Sequence, residues 1–427
     1  MAREKFIALD WLRFGLAIYL VLFHTVREYP EISNNPALYS ALSLGFFSTS
    51  TFFVLSGFLL AHVYIGRNAN VRFDTKTFFI KRFASLYPLH IFALLIAIPL
   101  MMTTSASMGE INVTPNTNSW LSDRPDLDER ALGPLGFITN LGLHFTMLHA
   151  WNPLYTTFNS PTWSLSALFF FYLTFPFFAP RISRTRRPLM LLALLCVLYS
   201  IPAWIMFIAD IQSVVAHGLL HRNPLLRLPE FLAGIILYVV YARYHSWLRH
   251  KMTSIHIAAM LSFIVVCFAA TAYLHNAVGG QWYYLVHNGL LLPAQLMLVL
   301  LCACYQPSTH SSTALLASRL GYASLSIFAL HVPLNIIASK AEKVILALYS
   351  IIESDSTLSS FIAIAIKQER ELELYPVYLL ATITVCVLFQ EQLVNKIRQA
   401  IQNRLLPAPS RTSASLSNSS HRGAQTE

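Results

Sequence analysis

Charged residues are scarce in this chain of 427 residues. Asp, Glu, Lys and Arg make up 12% of the sequence, whereas 55% of the residues are hydrophobic and the mean hydropathy is +0.53. A soluble domain is closer to a quarter charged. The shortage argues against an ordinary soluble protein, and the apolar runs of about twenty residues that recur along the chain indicate a polytopic membrane protein.

Cysteine is also rare, and alternating strand patterns are missing. No Cys-x-x-Cys motif or Cys/His metal spacing occurs, and no set of residues reaches a credible metal-ligand count, so we expect free packed thiols and no metal. Without a strand pattern, helices are left as the structure that satisfies its own backbone in a bilayer. The five cysteines lie in or at the ends of apolar runs, at Cys196, Cys267, Cys302, Cys304 and Cys386.

The apolar runs predict an all-α membrane protein of about ten transmembrane helices. Residues 1–400 form one membrane domain in this prediction, and 401–427 form a disordered cytoplasmic tail. The short apolar stretch 135–150 is predicted to be a re-entrant or interfacial helix, and loop 103–133 a mobile outer lid or a connector. The predicted spans are roughly 7–26, 42–65, 78–102, 163–179, 189–209, 226–243, 254–274, 282–304, 320–339 and 374–394.

The net charge of +10 is explained by orientation in the membrane rather than by nucleic acid. With the N-terminus inside, the predicted cytoplasmic segments hold twenty Lys and Arg residues and the outer segments hold eight. This bias follows the positive-inside rule and places both termini in the cytoplasm. The first span carries charges and lacks a convincing cleavage site, so it reads as a retained signal anchor.

The first span contains three ionisable residues, Asp10, Arg13 and His24. Ionisable residues at membrane depth are costly and therefore indicate a functional site by default. Asp10 and Arg13 are three residues apart and can pair on one helix face. The alternative interpretation is an interfacial ion pair and a histidine near the far headgroups.

Ionisable groups in the sixth and ninth spans also stand out. Arg227 and Glu230 lie three residues apart in the sixth span, and His331 lies near the middle of the ninth. The charged pair demands a partner or a cavity. His331 is either a functional residue or a buried imidazole whose hydrogen bond goes to a backbone carbonyl.

Two segments are ambiguous when taken alone. The basic residues Lys76, Lys81 and Arg82 at the start of the third span are either topology determinants or a phosphate clamp. Trp163 and Ser164 lie at the start of the fourth span. Trp163 is either an aromatic residue at the membrane interface or part of a substrate site, and the Ser164 hydroxyl either bonds to its own helix or belongs to the same site.

Together, six motifs resemble the membrane acyltransferase-3 family. LDWLRFGLAIYLVLFH is similar to its opening motif, and the later motifs follow in the same order over residues 6–340: FFVLSGFLL, KRFASLYPL, WSLSALFFFYLTFP, RLPEFLAG and LGYASLSIFALHVPL. The resemblance implies transfer of an acyl group, usually acetyl from acyl-CoA, to hydroxyl groups of envelope sugars or secreted small molecules. It implies no permanently bound cofactor and suggests a bacterial inner membrane.

The resemblance also implies roles for individual residues. His24 matches the essential histidine, with Asp10, Arg13 and Arg82 in supporting positions. Two departures occur: Ser85 stands where the family often has a second arginine, and Leu168 stands where many members have Glu. The other motif positions are Trp163, Ser164, Glu230 and His331.

These assignments lead to a mechanistic hypothesis. His24, or in second place His331, removes the acceptor proton, while Glu230 orients the imidazole. Developing negative charge is stabilised by Arg227, Ser164 or Trp163. Lys81 and Arg82 hold the CoA phosphates on the cytoplasmic side, and a carbohydrate or glycoside acceptor enters from outside. The alternative function is a transporter or flippase for a polar or glycolipid substrate, because intramembrane charges also mark substrate pathways.

Overall fold

The structure, a computed structural model, is built almost entirely of helices. It describes residues 5–27, 29–65, 71, 74–102, 111–112, 114–115, 131–278, 280, 282–305, 312–354 and 361–407. Most of the predicted outer loop 103–133 and residues 408–427 of the predicted disordered tail lie outside these residues. Residues 401–405 of that predicted tail are helical and end the helix Asn395–Leu405.

Seventeen α-helices are found in the described part of the chain. The first nine are α1 (Ile7–Thr25), α2 (Pro30–Ser33), α3 (Pro36–Leu42), α4 (Gly45–Tyr64), α5 (Thr75–Met102), α6 (Pro134–Phe145), α7 (Trp163–Ser183), α8 (Pro188–Ile208) and α9 (Val214–Arg222). The others are α10 (Pro224–Lys251), α11 (Ser254–Tyr273), α12 (Trp282–Leu285), α13 (Leu292–Cys304), α14 (Ser312–Ser354), α15 (Phe361–Lys367), α16 (Tyr375–Phe389) and α17 (Asn395–Leu405).

Shorter elements join these helices. Four two-residue strands form two antiparallel pairs, β1 (Ile111–Asn112) with β3 (Ala131–Leu132) and β2 (Thr114–Pro115) with β4 (Tyr155–Thr156). The 3₁₀ turns are His149–Trp151, Ser160–Thr162 and Leu372–Leu374, and the π-helical turns are Leu274–Val278, Val286–Leu290 and Gln390–Val394.

Ten helical segments in the described residues are long and apolar enough to cross a membrane, which confirms the predicted all-α architecture. Helices α8 and α11 bury little of their surface and expose apolar side chains such as Val197 and Val265, as expected of helices that face lipid. Helix α14 runs for 43 residues. At 1.5 Å per residue it is about 65 Å long, so it extends well beyond the predicted span 320–339.

Small residues allow two helix pairs to approach closely. Helix α4 crosses α10 where Gly57 faces the backbone at Phe231 and Gly234 faces the backbone at Val54. Helix α1 packs against α14 where Gly321 faces the backbone and Cβ of Asp10. A Cβ at any of these glycines would overlap the neighbouring helix, so these motif glycines are required for packing.

The eighth span is broken in the middle. Asn288 has φ −118° and ψ 66°, and Gly289 has φ 146°, a backbone conformation that L side chains rarely adopt. The break separates α12 from α13. It turns the side chain of His287 toward Arg227 of α10 and that of Asn288 toward Leu220 of α9. Irregular turns of this kind inside helices are frequent at functional sites.

Candidate active site

A cavity of about 300 Å³ lies at the His24 end of α1. It is bounded by α1, α4, α9 and α10, the turn before α7 and the broken eighth span. The ring and guanidinium groups that line it are His24, Arg27, His217, His221, Arg227, His275 and His287. Apolar walls come from Leu20 and from the aromatic residues Phe23, Phe46, Trp163 and Tyr283, and hydroxyl groups from Ser43, Thr49 and Ser160. The cavity is therefore suited to a polar ligand.

His24 lies beside His331. Their ring centroids are 5.1 Å apart, with the planes inclined by 35°. The Nδ1 of His331 lies 2.8 Å from the carbonyl oxygen of Phe328, one turn back in α14, and donates its proton to it. This bond leaves Nε2 of His331 as the unprotonated nitrogen, and Nε2 has no hydrogen-bond partner among the residues that the structure describes. The two histidines proposed as alternative bases thus form one pair.

Arg27 holds a positive charge close to His24. Its Nε donates to the carbonyl oxygen of Phe23 at 2.7 Å, and its guanidinium lies 4.1 Å from the centre of the Phe23 ring. A second aromatic ring, that of Tyr39, lies 5.5 Å away. The cation is therefore fixed at the cavity wall.

Arg227 is the centre of a buried polar network. Its Nη2 lies 3.1 Å from Oε1 of Glu230 and donates to Oγ of Ser50 at 2.6 Å. Its Nη1 donates to the hydroxyl of Tyr199 at 3.2 Å, and that hydroxyl donates to Glu230 at 2.7 Å. Arg227 and Glu230 form the predicted pair, but the carboxylate is bonded to Arg227 and Tyr199 rather than to His24.

The same guanidinium fixes the orientation of His287. Nη1 of Arg227 lies 2.9 Å from Nδ1 of His287. A guanidinium can only donate, so Nδ1 accepts and Nε2 carries the proton. Asn288 Oδ1 also lies 2.9 Å from Nδ1, but an amide oxygen only accepts, so the two contacts require opposite protonation of Nδ1. The charged Arg227 donor is the stronger partner and decides the tautomer. The Asn288 amide nitrogen donates to the carbonyl oxygen of Leu220. Nε2 of His287 has no hydrogen-bond partner within the described ranges, which leaves a buried N–H donor on a residue that lines the cavity.

Trp163 and Ser164 differ in what they contact. The Trp163 ring lines the cavity with its centroid 5.0 Å from that of His221. The Ser164 hydroxyl donates to the carbonyl oxygen of Pro161 at 2.8 Å, three residues earlier, so it bonds to its own chain segment. Ser164 is therefore positioned to begin α7 rather than to contact a ligand.

The remaining predicted residues gather at the other end of α1. Asp10 and Arg13 form the predicted ion pair at 3.7 Å, and Asp10 also accepts from Ser318 at 3.3 Å. Arg82 lies with its guanidinium 5.7 Å from the Tyr64 ring and 6.0 Å from the Tyr172 ring. Lys81 precedes it on α5 and is half-buried. Arg13 and His24 are eleven residues apart, about 16 Å by helix rise.

Several residues of the cavity were not predicted from sequence. The imidazoles of His217 and His221 belong to a segment that was assigned to an outer loop, and His275 lies at the end of the seventh span. His287 lies inside a predicted apolar span, so the criterion that singled out His24 applies to it equally. Tyr199 and Ser50 carry no charge, and nothing in the sequence distinguishes them from ordinary helix residues.

Comparison with known proteins shows which family and which relatives the chain resembles. A family model described as an acyltransferase domain matches residues 6–391. Acyltransferase MdmB of Streptomyces mycarofaciens is 31% identical over 174 residues, which cover 40% of this chain and 38% of that protein. Protein 2 in the picA locus of Rhizobium radiobacter is 38% identical over 92 residues, which cover 21% of this chain and 43% of that protein. The matched regions thus span less than half the length of these relatives, and no solved structure matches the chain.

Proposed function

Because this chain belongs to the acyltransferase-3 family, we propose that it is a membrane enzyme that transfers an acyl group from an acyl-CoA to a hydroxyl group of an acceptor. The acyl group is acetyl, and the acceptor is a cell-envelope polysaccharide, a glycolipid or a secreted glycoside. The enzyme lies in a bacterial inner membrane. The observation that carries the proposal is the His24–His331 pair at a polar cavity. His24 lies near one end of α1, and Arg13 lies toward the other end of the same helix.

His24 acts as the general base. A neutral imidazole removes the proton from the acceptor hydroxyl as its oxygen attacks the thioester carbonyl. The tetrahedral intermediate then collapses, the C–S bond breaks, and the CoA thiolate takes the proton from the His24 imidazolium. His331 supports this cycle because its Nε2 lone pair stabilises the transient charge on its neighbour.

His287 is the donor that stabilises the oxyanion of the intermediate. Preorganised donors aimed at developing negative charge make a large contribution to acyl transfer. The Arg227 contact leaves the His287 proton on Nε2, and the Arg227 charge strengthens that donor. Glu230 and Tyr199 act one step further away by holding the guanidinium in place.

The donor and the acceptor approach from opposite sides of the membrane. In this arrangement Lys81, Arg82 and Arg13 bind the CoA phosphates on the cytoplasmic side, since guanidinium groups pair well with phosphate. The pantetheine arm then extends along α1 toward His24, a distance of about 16 Å from Arg13 by helix rise. The acceptor hydroxyl enters the cavity from the outer side.

Mass spectrometry of envelope polysaccharides and secreted glycosides tests the reaction. Cells with wild-type protein are compared with cells that carry His24→Asn, with a deletion strain and with the control His245→Asn, whose histidine lies at the far end of α10. We expect an acyl group that is present with wild type and His245→Asn and absent in the other two, at matched membrane levels of protein. Equal acylation in the deletion strain would contradict acyl transfer and favour a transport function.

A further inference from the structure

Three histidines come together outside the cavity. His90 projects from α5, His144 from the last turn of α6 and His149 from the following 3₁₀ turn. All three are buried, and one ring nitrogen from each lies within 4.8 Å of the other two. His90 is 54 residues from His144 and 59 from His149 in sequence, so only the fold brings its ring to the other two.

Each ring is anchored through its Nε2. His90 Nε2 lies 2.9 Å from the carbonyl oxygen of His144, and His149 Nε2 lies 3.0 Å from the carbonyl oxygen of Thr162. A carbonyl accepts, so each of these nitrogens carries the proton. His144 Nε2 lies 3.1 Å from the Thr157 hydroxyl. Histidine ligands of metals almost always donate their second nitrogen to a carbonyl, carboxylate or water in this way.

The three Nδ1 atoms remain. Each is buried, and none has a hydrogen-bond partner among the described residues. A buried polar atom without a partner costs free energy, and three in one cluster require an explanation.

From this arrangement we propose that His90, His144 and His149 bind a zinc ion through their Nδ1 atoms. Neutral imidazole nitrogens suit zinc, and a three-histidine set leaves the fourth tetrahedral position to water. The ring planes lie within 8° of parallel, with centroids 3.9, 5.1 and 5.8 Å apart. Because a nitrogen lone pair lies in the plane of its ring, at least one ring turns when all three Nδ1 atoms reach about 2.1 Å from the ion.

The ion ties the active-site wall to the neighbouring helices. His149 holds the carbonyl oxygen of Thr162, and the next residue is Trp163, which lines the cavity. The Ser166 hydroxyl donates to the carbonyl oxygen of Met147 at 2.5 Å and so joins the same segment to α7. Zinc therefore stabilises the start of α7 without contacting the acyl acceptor.

Metal analysis of the full-length protein tests the site. The protein is purified in detergent with an affinity tag that contains no histidine run, and its metal content is measured by inductively coupled plasma mass spectrometry. We expect about one zinc per chain in wild type, little or none in His144→Asn and His149→Asn, and wild-type content in the control His256→Asn, whose histidine is exposed at the start of α11. Equal zinc in wild type and both cluster variants would overturn the proposal.

Thermal unfolding of the wild-type protein keeps the test independent of whether the variants fold. A chelator is expected to lower the unfolding temperature, and added zinc chloride to restore it, because a ligand that binds only the folded state stabilises it. Absence of zinc from the purified wild type, together with no change in unfolding temperature on adding zinc chloride, would also overturn the proposal. Neither measurement depends on acyl transfer, so failure here leaves the proposed reaction separately testable.

Discussion

At the scale of single residues, the His24–His331 pair carries most of the chemical argument. His331 donates from Nδ1 to a carbonyl of its own helix, which leaves Nε2 as an acceptor beside His24. The Nε2 lone pair of His331 can stabilise the positive charge that His24 carries between taking the acceptor proton and giving it to the CoA thiolate. We therefore expect substitution of His24 to lower the rate of acyl transfer strongly and substitution of His331 to lower it less.

The first prediction compares these two positions. His24→Asn should lower the rate of acyl transfer by about 10²- to 10⁴-fold, the usual contribution of a general base. His331→Gln should lower kcat by about 10-fold and leave KM for the donor nearly unchanged, because His331 acts through its neighbour. Initial rates in membranes with matched protein levels check both. A His331→Gln enzyme with full kcat would contradict the pairing.

The second prediction concerns the stability of the Arg227 network. Arg227→Met leaves the Glu230 carboxylate buried without its cation, and breaking a buried pair in this way costs about 3–5 kcal/mol in the free energy of unfolding. Arg227→Met combined with Glu230→Gln should recover part of that loss but no activity, because His287 still lacks its donor. Denaturation in detergent measures the first effect and acyl-transfer assays the second. Equal stability of the single and double variants would exclude the ion pair as the cause.

Sequence reasoning recovered part of this site. Asp10, Arg13, Arg227 and Glu230 were recognisable because charge in an apolar helix is conspicuous. Glu230 pairs with Arg227, as the spacing predicted, and also accepts from Tyr199. The expected contact between Glu230 and His24 is not among the hydrogen bonds of the described residues. Which groups meet depends on how the helices pack, and residue spacing within one helix cannot show it. The proximity of His90 to His144 and His149 cannot be read from residue spacing for the same reason.

At the scale of elements, the close crossing of α4 and α10 places Ser50 and Arg227 within hydrogen-bond distance. The third prediction is that Gly57→Ala lowers the free energy of unfolding by about 1–3 kcal/mol, as overpacking does, because its Cβ would overlap the Phe231 carbonyl. The control is Gly15→Ala on α1, where a Cβ meets nothing within 4 Å. Replacing glycine by alanine inside a helix there should stabilise by roughly 0.5–1 kcal/mol. Thermal unfolding of both variants in the same detergent checks the contrast, and equal effects would contradict it.

The ten spans were predictable because the length and apolar character of a helix that crosses a bilayer are set by the bilayer. The break at Asn288 and Gly289 was not, since one glycine in an apolar run is also compatible with a straight helix. Its cause is tertiary: His287 and Asn288 gain polar partners only if the helix opens at this point. The full length of α14 was missed because its ends are less apolar than its middle.

At the scale of the whole molecule, the basic residues Arg13, Lys81 and Arg82 belong to two helices, α1 and α5. Arg13 and His24 lie toward opposite ends of α1. The fourth prediction is that Arg82→Gln raises KM for acyl-CoA by about 10-fold, as expected for loss of one charge-assisted hydrogen bond, with a smaller effect on kcat. Lys76→Gln, at an exposed position of α5, is the control and should leave KM unchanged. Donor titrations with both variants check the difference. An unchanged KM for Arg82→Gln would remove Arg82 from the donor site.

The most direct test of the account supplies isotopically labelled acetyl-CoA to sealed membrane vesicles of defined orientation that contain the endogenous acceptor. The account predicts that label enters the acceptor when the donor is added to the cytoplasmic face, that it does not when the donor is added only to the outer face, and that His24→Asn abolishes incorporation. Incorporation from the outer face alone, or at an undiminished rate with His24→Asn, would contradict transfer across the membrane through the His24 cavity.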